Sequence, residues 1–296
     1  MKYRTDLALE AMELYRGGTD GKLPSVPGTE YAQKKCGDDI TVTTIRILDQ
    51  EGEKALERKR GNYITLEIDG IADGKNSIKK RAARVLAKEI SGLIPFRNDL
   101  KVLVVGLGND KVTPDALGPF SVSKIKVTRH LFLIFDCNQD PEMANVSGLI
   151  PGVFGSTGIE TAEVIQKAVD LVRPDVVLAV DSLAARDISR VNTTIQLNDT
   201  GIRPGSGNGN HRSEISEETV GAKVVAIGVP TVIDAGTLVI DALSGFRQNE
   251  GEIEAYLHRN PLDLVVTSTD IDFVIKEFSD IIASGVNIAL HPGIYS

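Results

Sequence analysis

The stretch "KVLVVGLGNDKVTPDALGP", residues 101 to 119, decides how the rest of the chain reads. It opens on an apolar run without alternation, "KVLVV", and ends that run in glycines at 106 and 108. A single acid, Asp115, then stands between Pro114 and Ala116. Buried parallel strands read this way, because helices cover both faces and leave no polar side. The same pattern recurs in "DVVLAV" (175 to 180), "KVVAIGV" (223 to 229) and "DLVVTS" (263 to 268). Helical patterns lie between or after these runs, at 158 to 174, 231 to 246 and 270 to 285. Strand and helix in alternation predict a three-layer α/β/α sandwich around a largely parallel sheet.

Upstream the pattern differs. "TDLALEAMELYRGG" (5 to 18) predicts a helix with Thr5 as N-cap and a glycine stop. "TVTTIRIL" (41 to 48) and "NYITLEID" (62 to 69) alternate as half-buried strands do, with a solvated connection or short helix between them. "NSIKKRAARVLAKEISGLI" (76 to 94) is amphipathic, with Ile78, Ala82, Val85, Leu86 and Ile90 on one face. No repeat or linker divides the chain, so one domain over 1 to 296 is expected, with a β-containing elaboration over about 1 to 75.

The 296 residues are 42% hydrophobic and 25% charged, enough for a sizeable core in an ordinary globular protein. The net charge of −8 disfavours a nucleic-acid backbone as the main partner. No apolar run has the length of a membrane span, and the start "MKYRTDLALE" has no signal-peptide core. Cys36 and Cys137 show no metal-type spacing and read as free thiols of a reducing cytosol.

In open α/β sheets ligands sit beyond the carboxyl ends of the strands. Asp115 leaves the strand at 101 to 105, and Asp181 is expected to end the strand at 175 to 180. If those strands are neighbours their ends lie about 5 Å apart. Two carboxylates so close share a proton, which suits hydrolysis: one takes a proton from water while the other polarises a carbonyl. The competing reading has Asp181 capping a helix near Leu183 and Asp115 serving a turn.

Other signals are weaker. "GLGNDK" places Gly106 and Gly108 correctly for a dinucleotide fingerprint but has Lys111 in the sixth position, and Pro114 interrupts the helix. "DTG" at Asp199 to Gly201 matches the tripeptide of pepsin-like proteases, yet it occurs once, in an α/β chain, and reads as the start of a structured loop, "GIRPGSGNGN" (201 to 210), lining the site. No G-x-S-x-G or H-E-x-x-H is present, and His130, His211, His258 and His291 are scattered.

At these residues the chain resembles the spore germination proteases, endopeptidases that degrade small acid-soluble spore proteins. The segments that carry the likeness are "YRTDLALE" (3 to 10), "GNYITLEI" (61 to 68), "VVGLGNDKVTPDALGP" (104 to 119), "VTRHLF" (127 to 132) and "GSTGIETAEVI" (155 to 165). It continues through "DSLAARDISRVNTTIQLNDTGIRPGSGNGN" (181 to 210), "VVAIGVPTVIDA" (224 to 235) and "NIALH" (287 to 291). The resemblance implies an atypical aspartic protease, related in fold to the hydrogenase maturation proteases, whose acids fall on Asp115 and Asp181. Asn109, Thr113, Asp199, Gly205 and Gly207 are then candidates for orienting the acids or gripping substrate. It further implies a cytoplasmic protein of the spore core and a homotetramer; the residues themselves point to no cofactor and no metal ligand set. It also implies a zymogen with a propeptide ahead of "RTDLA"; in this sequence Met1 to Tyr3 stand before Arg4. The rival readings are a metal-dependent protease of the maturation type and a catalytically silent protein that binds the spore proteins.

Overall fold

The computed structural model describes residues 4–15, 23–71, 74–204, 213–243, 255–257, 259, 260, 262 and 264–295. In chain order the elements begin with α1 (Ala8–Leu14), β1 (Thr29–Lys35), β2 (Ile40–Ile47), α2 (Gln50–Leu56), β3 (Gly61–Ile68) and α3 (Asn76–Leu93). There follow β4 (Lys101–Gly106), α4 (Leu117–Val122), α5 (Arg129–Ile134), β5 (Asn145–Leu149), α6 (Phe154–Thr157), α7 (Thr161–Val172) and β6 (Val176–Ala185). The chain then forms β7 (Thr194–Asn198), α8 (Glu217–Val220), β8 (Lys223–Asp234), α9 (Ala235–Leu243), β9 (Val265–Val266) and α10 (Ile271–Leu290).

All the strands join one sheet in the order β1-β2-β3-β7-β8-β6-β4-β5, with β9 on β8. From β5 through β4 and β6 to β8 the pairing is parallel; from β8 through β7, β3 and β2 to β1 it is antiparallel. The fold is thus an α/β sandwich, parallel at its centre, with an antiparallel N-terminal wing.

The continuous apolar runs have a direct cause. Val176, Leu178 and Val180 of β6 face a core built with Leu86 and Ile90 of α3 and Ile275, Phe278 and Ile282 of α10. Val177 and Ala179, pointing the other way, pack with Ile165 and Val169 of α7. With helices on both faces, every position gains by being apolar, at about 1.5–3 kcal/mol for each fully buried large side chain.

Several expectations need correction. The strand carrying Asp181 does not stop there: β6 runs on to Ala185, so Asp181 is an interior strand residue and no helix begins near Leu183. β8 likewise continues through Asp234, which takes 231 to 234 from the expected helix. "DLVVTS" is no buried parallel strand; Val265 and Val266 form a short exposed β9 antiparallel to β8. Thr5 is not the N-cap of α1, which is Leu7; its Oγ1 accepts from the Leu7 amide and donates to Glu10. The glycine stop at 17 and 18 lies outside the described residues. The pattern missed β1, β5 and β7, the last because Thr194, Gln196 and Asn198 are polar residues that are nonetheless buried.

α10 ends on a buried imidazole. His291 Nε2 lies 2.9 Å from Lys126 O, an acceptor only, so Nε2 carries the proton. Nδ1 has no hydrogen-bond partner among the described residues. Burial pushes the His291 pKa below its usual value, so the folded state resists a proton that the unfolded chain accepts below about pH 6.5. Stability therefore falls as pH drops through that value. In thermal melts between about pH 7.5 and 5.5, His291→Gln, which keeps a donor and cannot ionise, should show a flatter pH dependence than the wild type. Equal slopes would show that His291 takes no part.

Candidate active site

β4 and β6 are neighbours, in register from Val102 opposite Val176 to Gly106 opposite Val180. The contact extends one residue further, where the Leu107 amide donates to Val180 O at 2.8 Å. Asp181 follows Val180 directly. Asp115 lies against Gly108, two residues past the end of β4, for a Cβ added to Gly108 would lie 2.0 Å from Asp115 O and 3.1 Å from its Oδ1. The two acids therefore border one junction of adjacent parallel strands. Asp181 is 3% exposed and its Oδ1 accepts from the Ser182 amide at 2.9 Å; Asp115 is half-buried.

Backbone contacts hold Asp115 in place. A short 3-10 turn, Thr113–Asp115, carries it. The Asn109 amide donates to Asp115 O at 3.0 Å, and Thr231 Oγ1 of β8 donates to Pro114 O at 2.7 Å. The turn leads into α4, whose second residue lies directly on the strand junction. A Cβ on Gly118 would meet Leu107 O at 2.2 Å, Leu107 N at 2.5 Å and Val180 O at 2.5 Å. Only glycine permits that approach.

The exit of β6 is held from the amino-terminal segment. The Asp6 amide donates to Ala184 O at 2.9 Å, and its carboxylate accepts from the Ala184 amide at 2.8 Å. Glu10, fully buried, accepts from the amides of Arg186 (2.7 Å) and Asp187 (2.9 Å) and from the Thr5 hydroxyl. Burial pushes the Glu10 carboxyl up, opposed by those donors and by Arg190. Burial works against the charge of Arg190 too, but Glu13, Glu67 and Glu10 around it hold its pKa up. Sequence reasoning missed Asp6, Glu10, Thr231 and Gly118. The only signal for Asp6 and Glu10 is that "RTDLALE" places acids on an otherwise apolar helix start; nothing local marks Thr231 or Gly118.

The other candidates are not brought to the junction in the same way. Asn109 uses its Oδ1 to accept from the Lys111 amide at 3.1 Å, shaping its own loop, and Thr113 is half-buried in the turn. Asp199 follows β7, whose Asn198 pairs with Ala226, two residues before the Gly228 that faces Asp181. Its carboxylate accepts from the Asn62 amide (2.7 Å) and Asn62 Nδ2 (2.6 Å), clamping β7 to β3. Gly205 and Gly207 lie outside the described residues, as do His211 and His258. The described start of that loop pairs Ile202 with Ile215, ahead of β8 rather than beyond its carboxyl end. Among the described residues no three His, Cys, Asp or Glu side chains converge as metal ligands would, and no helix is long and apolar enough to cross a membrane.

An α/β sheet with two carboxylates near the carboxyl end of a central strand is laid out as many hydrolytic enzymes are. The comparisons give the family. The model of the germination proteases matches residues 8–252. The germination protease of Clostridium tetani is 41% identical, over 99% of this chain and 97% of that one. That of Caldanaerobacter subterraneus is 43% identical over 98% and 95%, and that of Bacillus cereus 36% identical over 97% and 93%. Among solved structures, a [NiFe] hydrogenase maturation protease HycI from Thermococcus kodakarensis aligns at 15% identity, covering 68% of this chain and 98% of that one, with a TM-score of 0.33. The chain belongs to the germination protease family and is a peptidase.

Two substitutions test the positioning. Thr231→Val, which removes the bond to Pro114 O, should lower kcat about tenfold or more with little change in KM; an unchanged kcat would show the turn is held without it. Asp199→Asn should cost about 1–3 kcal/mol in urea unfolding while leaving more activity at permissive temperature than loss of either junction acid. A folded but inactive Asp199→Asn would reverse that assignment.

Proposed function

We propose that this chain is the endopeptidase that begins degradation of small acid-soluble spore proteins during germination, hydrolysing peptide bonds with a water activated by Asp115 and Asp181. One observation carries the reading: both acids border the junction where β4 ends beside β6, one on the turn that follows β4 and one within β6 itself. Family membership supports the peptidase chemistry and its setting in germination.

In this mechanism the two carboxyls hold one proton between them, since two like charges sharing one water do not both ionise readily. The ionised carboxylate takes a proton from water, and the resulting hydroxide adds to the scissile carbonyl carbon. The protonated carboxyl donates to the carbonyl oxygen, and a proton then passes to the leaving amine as the C–N bond breaks. The spore-protein substrate, a zymogen stage, a spore-core location and a homotetrameric assembly complete the proposal and rest on the family resemblance.

Asp115→Asn and Asp181→Asn should each abolish cleavage of a spore-protein substrate in a folded protein, with the double variant little worse than either single one. The wild-type rate should follow a bell-shaped pH profile whose limbs belong to the pair jointly. Substantial activity in either single variant would sink the acid pair. Prolonged chelation should leave the rate largely intact; stoichiometric metal whose loss and return track activity would favour a metal-dependent protease instead.

A further inference from the structure

The sheet ends at β1, which among the described residues pairs on one side only, with β2. Beyond Thr29 its residues are all exposed, on both faces. Such a strand is held by one ladder and almost no packing. The ladder also fixes which backbone groups face outward. The Leu48 amide donates to Gly28 O and the Cys36 amide to Ile40 O. Even-numbered residues therefore turn their amides and carbonyls toward β2, while Tyr31, Gln33 and Lys35 turn theirs to the open edge.

An unprotected edge of this length is a template for another strand. β1 contains no proline, and its register with β2 is unbroken from Thr29 to Lys35. Its charges are arranged as a complement rather than as a guard, because Glu30 and Lys34 lie symmetrically about Ala32.

We propose that β1 is a self-association surface: the β1 strand of a second copy of this chain adds to it antiparallel, about a two-fold axis at Ala32, and joins two sheets into one. In this register Tyr31 faces Gln33 of the second copy, and both have outward amides and carbonyls, so they exchange hydrogen bonds. Glu30 faces Lys34 of the second copy, and the two-fold repeats the pair. A two-fold at Gln33 would also satisfy the backbone, but it opposes Lys34 to Ala32 and Lys35 to Tyr31, with no opposite charges matched. The charges thus select the Ala32 register. Lys34 Nζ already sits 2.7 Å from Glu89 of α3, and an ammonium has donors to spare for a second carboxylate. Glu30, Ala32 and Lys34 line one side of a groove along the sheet, with Val42, Thr44 and Arg46 on the other. This assembly does not depend on the catalytic assignment.

Sedimentation of the purified full chain over a concentration series should give a mass of an even number of chains. Glu30→Lys and Lys34→Glu each oppose like charges twice across the axis and should weaken association about tenfold or more. The double exchange, Glu30→Lys with Lys34→Glu, should restore it. Ala32→Cys should form a disulfide-linked dimer on mild oxidation where the wild type, with Cys36 and Cys137, does not. Directly opposed residues of such a pair have Cα atoms about 4.5 Å apart, within disulfide range. A monomeric wild type, failure of the double exchange to restore association, or absence of the Ala32→Cys crosslink would each overturn the proposal.

Discussion

The close approach of α4 to the point where β4 ends beside β6 is the constraint on which the rest depends. Leu107 stays bonded to Val180 beyond the named end of β4, and Gly118 settles against both with no room for a side chain. That contact fixes where the chain between them can go. The loop from Gly108 to Ala116 must descend onto the same junction, and it brings Asp115 with it. Main-chain contacts from Asn109 and Thr231 fix the path of the turn that carries the acid. Chemistry that depends on two carboxyls meeting one water tolerates little displacement, and paired strands under a close-packed helix give the rigidity that a loop alone lacks.

A second device works on the other acid from below. β6 extends past Asp181 to a register shift between Leu183 and Ala184, where its pairing with β8 becomes irregular. There Asp6 takes up both backbone groups of Ala184, and Glu10 takes the amides of Arg186 and Asp187. A buried carboxylate is costly, and surrounding it with donors and Arg190 offsets that cost without making it a strong source of stability. What it supplies is direction: the strand leaves the sheet along one path, and residues 5 to 10 pack behind it. Gln196 of β7 joins them, accepting from the Ala8 amide and donating to Asp6 O.

β8 links the two halves of the molecule. It runs parallel to β6 on one side and antiparallel to β7 on the other, and it sends Thr231 up to the turn that carries Asp115. The antiparallel wing beyond β7 has its own small core, Ala8, Leu9, Met12, Ile45, Ile47, Leu56 and Tyr63. α1 is thus shared between that wing and the region of the acids, which couples the packing of one to the geometry of the other.

The sequence by itself determined the class of fold and singled out two acids as candidates. Unalternating apolar runs at 101 to 105, 175 to 180 and 223 to 229 occur because helices cover both faces, and that environment acts on every residue of a run. Asp115 and Asp181 stand out because a charge next to such a run is costly unless something uses it. The extent of β6 and β8 past those runs was not legible, since Ser182 and Thr231 look like turn residues until neighbouring strands satisfy their backbone. β1 was hidden because it buries almost nothing, and β7 because its buried residues are half polar. Strand order was a matter for the tertiary structure alone. Local patterns record what each segment packs against in kind, apolar or wet, but not which segment it is. The pairing of β4 with β6, the seat of Gly118 on Leu107 and Val180, and the grip of Glu10 on residues more than a hundred positions away are long-range contacts, chosen only when the whole chain closes on itself.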